Sequence, residues 1–133
     1  GSVLEEGPDV AIIACGVMVE QALKASSELS NEGVNCTVVD MHTIKPLDTE
    51  LISRLAVQCG CFVSAEDHSV IGGLGSALSE WLSANNPKPL EMVGVKDRFG
   101  ESGSTGELME SLGLTYKSIC SAARTSINRK KST

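Results

Sequence analysis

Asp9-Val10-Ala11-Ile12-Ile13-Ala14-Cys15-Gly16 is the stretch that decides the fold. Six consecutive apolar or small residues after Asp9, closed by a glycine, are too few for a core helix. They suit a strand buried on both faces. After Gly16 the period changes. Val19, Ala22, Leu23, Ser26 and Leu29 fall at helical spacing on one stripe. Asn31-Glu32-Gly33 then predicts a stop, with Gly33 suited to the left-handed position beyond a helix end. Strand followed by amphipathic helix is the opening of a parallel crossover unit.

The same alternation continues outward. Asn35–Asp40 and Cys61–Glu66 read as further strands, and Leu90–Val95 as a fourth. Between them lie two helical stripes. One carries Leu51, Ile52, Leu55, Ala56 and Cys59 behind a capping Asp48. The other carries Leu74, Leu78, Trp81 and Leu82 behind Gly72, Gly73 and Gly75. Pro46, Pro87 and Pro89 mark connections, since proline cannot donate to a ladder. A loop over Phe99–Gly106 and a short helix over Glu107–Leu112 follow. Gly113 then breaks the chain, and Thr115 is placed to cap a last helix reaching about Asn128. Helical crossovers between strands predict an α/β fold with a mainly parallel sheet and helices on both faces. The ends, residues 1–7 and 129–133, read as a loose lead-in and a flexible tail around a domain spanning 8–128. Gly1-Ser2, with no Met, resembles a cleavage scar, which predicts natural sequence further upstream.

Bulk properties narrow the function classes. At 133 residues the chain makes about one domain, and its net charge of −6 opposes a nucleic-acid surface. Arg129-Lys130-Lys131 is the only basic cluster and reads as a solvated helix end. No apolar run has the length of a membrane span, which predicts no membrane partner. Five cysteines, an odd number with three inside apolar runs, predict reduced buried thiols and a cytoplasmic protein. Cys59-Gly60-Cys61 lacks the second pair that a zinc site needs.

Two segments carry possible chemistry. Glu66-Asp67-His68-Ser69-Val70-Ile71-Gly72-Gly73-Leu74-Gly75 joins a strand end to a helix start, where open α/β sheets place ligands and where anions are favoured. The string completes neither a dinucleotide fingerprint nor a Walker loop, so a tight turn and close helix packing are the simpler explanation of the glycines. Asp67 beside His68 does not make a dyad, because strand neighbours point to opposite faces. No nucleophile elbow completes a triad. The second segment is Lys96-Asp97-Arg98-Phe99-Gly100-Glu101-Ser102-Gly103. Arg98 there either grips a carboxylate or phosphate, or pairs with Glu101 to hold the loop.

Taken in order, Ile12–Gly16, Val38–Asp48, Asp67-His68, Gly72–Gly75, Phe99–Gly103 and Leu112–Thr115 resemble the C-terminal domain of the transketolase family, over about residues 8–128. The Glu-Asp-His form is closer to animal-type and split transketolases than to the long bacterial form. The resemblance implies a three-layer αβα domain on a mostly parallel five-stranded sheet with one antiparallel strand. Val3-Leu4 or part of the Ile44 segment would supply the strand missing from the count above. It also implies a full enzyme of the pentose phosphate pathway, a homodimer in which thiamine diphosphate and Mg are held by pyrimidine- and pyrophosphate-binding domains. That enzyme moves a two-carbon ketol unit between sugar phosphates. This chain has no Gly-Asp-Gly metal motif, so the resemblance carries over no catalytic, cofactor or metal residue, and the isolated chain is expected to be inactive. Asp67, His68, Arg98 and Glu101 are expected to face neighbouring domains, with Gly72, Gly73 and Gly75 as further interdomain or anion contacts. Related C-terminal domains occur in 2-oxoacid dehydrogenase beta subunits and deoxyxylulose-phosphate synthases, although Phe99–Ser102 favours transketolase. A reading of another class is a small anion-binding module at the Gly72–Gly75 helix start.

Overall fold

A computed structural model describes residues 1–42, 46–69, 73–95 and 115–132. Among these, the chain runs β1 (Ser2–Glu5), β2 (Val10–Ala14), α1 (Met18–Asn31), β3 (Cys36–Asp40), α2 (Thr49–Gln58), β4 (Phe62–Ser69), α3 (Leu74–Asn85), β5 (Leu90–Val95) and α4 (Tyr116–Lys131). The sheet order is β1-β3-β2-β4-β5. Strands β3, β2, β4 and β5 are parallel, and β1 lies antiparallel on β3.

Strand β2 is central and buried at every residue, as its unbroken apolar run requires. Alternation along it feeds two cores. Val10, Ile12 and Ala14 meet α1 and α4 on one face. Ala11 and Ile13 meet α2 and α3 on the other. The result is three layers, helix pair on sheet on helix pair.

Local chemistry sets the helix ends. Gly33 takes φ 84, and Val34 N–H donates to the Leu29 carbonyl, closing α1 with a left-handed turn. Asp48 Oδ1 accepts from Leu51 N–H at 3.2 Å and caps α2. Thr115 occupies the cap position of α4, but its side chain makes no capping bond. Gln21, reaching across from α1, accepts from Tyr116 N–H at 2.9 Å instead.

The fifth strand is Ser2–Glu5, around Val3-Leu4, the first of the two segments expected to supply it; the Ile44 segment lies outside the described residues. Two expectations are corrected. The lead-in over 1–7 is not loose. Gly7 is buried, its N–H donating to Thr37 Oγ1 at 3.0 Å and its carbonyl accepting from the same hydroxyl at 2.7 Å. Nor do residues 129–131 form a flexible tail. They complete α4, and Lys130 Nζ donates to the carbonyls of Asp9 at 2.8 Å and Cys59 at 2.9 Å. A cation can satisfy a carbonyl at the end of another helix, and here Lys130 does so at Cys59, the residue that ends α2. The loop and short helix expected over Phe99–Leu112 lie outside the described residues.

Candidate functional site

The parallel strands share one carboxyl edge, where β2 ends at Cys15-Gly16, β3 at Asp40 and β4 at Glu66 to Ser69. Chain direction across the sheet reverses between β2 and β4, the position where open α/β sheets form their crevice. Alternation along β4 divides its two carboxylates. Glu66 turns toward α3. Asp67 turns toward the start of α1, where a Cβ added to Gly16 would stand 3.2 Å from its Oδ1. Gly16 has φ 61, so glycine both makes this turn and leaves room for the Asp67 carboxylate.

Glu66 is the residue whose role the sequence did not assign. It has no exposed surface. Its two carboxylate oxygens accept the N–H groups of Leu74 at 2.8 Å and Gly75 at 2.7 Å. These are amides of the first turn of α3, where the helix dipole favours a negative charge. The signal was a charged residue ending an apolar strand just before a glycine-led helix; its partners lie eight and nine residues ahead. The protein thus fills part of the anion site expected at Gly72–Gly75 with its own side chain. Gly75 serves packing: a Cβ there would come within 2.6 Å of Met92 Sδ and 3.1 Å of Ser64 Oγ.

Among the described residues, this edge also carries Asp40, His42 and Cys15. His42 Nδ1 lies 3.9 Å from Asp40 Oδ1, an ion-pair distance only when the ring is protonated. The Cys15 thiol is pushed up to about 11, first by burial and then by the charges of Glu66, Asp67 and Asp40. Such a thiol stays protonated and unreactive. All five cysteines are free and buried. Of the predicted contact residues, the structure brings Asp67, Gly73 and Gly75 to this edge. His68 lies in β4. Gly72, Arg98 and Glu101 lie outside the described residues.

A diphosphate–metal group needs free amide donors and a set of oxygen ligands. Among the described residues no cluster of three His, Cys, Asp or Glu is arranged to hold a metal. The amides of Leu74 and Gly75 are already taken. The described residues therefore do not fit such a group. Also among the described residues, no helix is long and apolar enough to cross a membrane.

Comparison with known proteins agrees with this architecture. The family model described as transketolase, C-terminal domain, matches residues 1–119. The chain is 50% identical over 129 residues to the 6-deoxy-6-sulfo-D-fructose transketolase subunit of a Clostridium species, covering 97% of this chain but 40% of that protein. It is 39% identical over 124 residues to 1-deoxy-D-xylulose-5-phosphate synthase 1 of Geobacter sulfurreducens, covering 92% of this chain and 20% of the synthase. A solved structure described as a split gene transketolase, inactive beta4 tetramer, superposes with a TM-score of 0.94 at 46% identity. It covers 97% of this chain and 42% of that one.

Proposed function

The chain belongs to the transketolase C-terminal domain family, and from that premise we propose that it is the noncatalytic packing domain of a split-type transketolase. The self-filled sheet edge carries this reading. Glu66 holds the helix start that would otherwise offer amides to a phosphate, which leaves the edge suited to protein contact. In the assembled enzyme, thiamine diphosphate and Mg, held by the pyrimidine- and pyrophosphate-binding domains, supply the carbanion chemistry of ketol transfer in the cytoplasm. Asp67, His68, Arg98 and Glu101 serve as contacts to those domains in a homodimeric or higher assembly. The Geobacter relative supports a second reading within the same superfamily, the C-terminal domain of a deoxyxylulose-phosphate synthase.

Calorimetry of the 133-residue chain against thiamine diphosphate with Mg is expected to give no binding heat, and the chain alone no ketol transfer. Tight, Mg-dependent binding or turnover by the chain alone would sink the proposal. Product analysis of the assembled enzyme separates the two readings. Ketol transfer between sugar phosphates favours the first, and formation of 1-deoxy-D-xylulose 5-phosphate the second.

A further inference from the structure

The amino edge of the sheet, opposite Asp67, holds a cavity of about 950 Å³. Its walls are the end of α2, the turns before β4 and β5, and the last turns of α4. Lys88, Arg129 and Lys130 line it, and among the described lining residues none is Asp or Glu, in a chain whose net charge is −6. Two of the cations are held in place. Lys130 Nζ is tied to the carbonyls of Asp9 and Cys59. Arg129 Nη1 donates to the Leu90 carbonyl at 3.1 Å and to Glu91 Oε2 at 2.5 Å. A guanidinium carries five N–H donors in a planar fork, and one nitrogen of Arg129 accounts for both bonds. Its Nε and Nη2 have no bond to a described residue. The negative ends of the nearby helices are quenched: Lys130 covers Cys59, and Ser132 N–H donates to the carbonyls of Asn128 and Arg129. An apolar wall completes the cavity, including Val57, which is 80% exposed. A fixed guanidinium with spare donors, beside Lys88 and apolar surface, makes a small-ligand site.

We infer that this cavity binds a small phosphate-bearing molecule. Arg129 Nε and Nη2 and the Lys88 ammonium take the phosphate, and Thr125 and Asn128 supply neutral donors. The inference is independent of the transketolase reading, because it uses none of the residues at the carboxyl edge.

Titration calorimetry at constant ionic strength tests it with three probes: inorganic phosphate, a pentose 5-phosphate and a nucleoside monophosphate. Saturable binding of at least one is expected. Lys88→Gln and Arg129→Gln should each weaken it about tenfold, the worth of one charge-assisted hydrogen bond. Lys88 makes no bond among the described residues, so its variant should keep the parent melting temperature and report binding alone. Equal affinity for all three probes identifies the free anion as sufficient. Tighter binding of the pentose phosphate or of the nucleotide identifies the organic part that the apolar wall accepts. No saturable heat with any probe at millimolar concentration overturns the inference. So does binding that both variants leave unchanged, or that chloride at the same ionic strength displaces equally well.

Discussion

Glu66 shows how much one side chain can hold. A buried carboxylate costs heavily in desolvation unless its oxygens are met. Here the two α3 amides meet both. Glu66→Gln keeps the shape but turns one acceptor into a donor facing an N–H. The expected loss is about 1–3 kcal/mol in urea unfolding, the cost of a buried donor left unmet; a change under a few tenths would show that the amides find other partners. Gly7 is a steric counterpart. A Cβ there would stand 2.6 Å from the Asn35 carbonyl carbon and oxygen and 2.8 Å from Cys36 N. These are backbone atoms that cannot swing aside, so Gly7→Ala should lower stability by about 2 kcal/mol or more. Gly75→Ala meets mainly the flexible end of Met92 and should cost less, with part of the loss recovered in a Met92→Ala background. Neither partnership was legible in the sequence. Glycine beside a proline reads as any turn, and the partners of Glu66 become visible only once the helix exists.

Elements were legible in proportion to how completely they are buried. The apolar run of β2 and the helical stripes of α1 and α2 could be read directly, because burial on a full face demands an uninterrupted pattern. Strand β1 could not. Only Val3 of its four residues is even partly covered, since an edge strand needs backbone pairing and little apolar surface. The end of α4 misled for a related reason. A run of Arg and Lys normally marks a solvated terminus, yet Lys130 carries its charge onto the end of α2 while Lys131 stays exposed. Lys130→Met should therefore cost about 1–2 kcal/mol by leaving the Cys59 carbonyl unmet and the Asp9 carbonyl with only the weak Cys61 thiol donor. Lys131→Met should stay within about 0.5 kcal/mol. Equal effects of the two substitutions in chemical unfolding would return the end of α4 to the status of a solvated tail.

At the scale of the whole molecule, five buried thiols set an alkaline limit. Burial pushes every one of them above its ordinary value of 9.0, Cys15 to about 11 and Cys36 to about 12. A raised folded value means that the native chain keeps protons the unfolded chain has released. Stability is then fully present below about pH 9 and declines as pH rises toward the folded values, at up to about 1.4 kcal/mol per pH unit for each thiol. The acid side is shallow by comparison. Glu32 is held below its ordinary value by the Arg124 guanidinium, but this pair stands in water and is screened. The depressed carboxylate gives its small share above its unfolded value and loses it as pH falls. The denaturant midpoint should accordingly be nearly flat from about pH 5 to 8 and drop steeply between about 9 and 11. Cys36→Ala should be somewhat less stable at pH 8 through lost packing, yet show a gentler alkaline slope because one titrating thiol is gone. An unchanged slope in that variant would mean that the alkaline loss arises outside the sheet core.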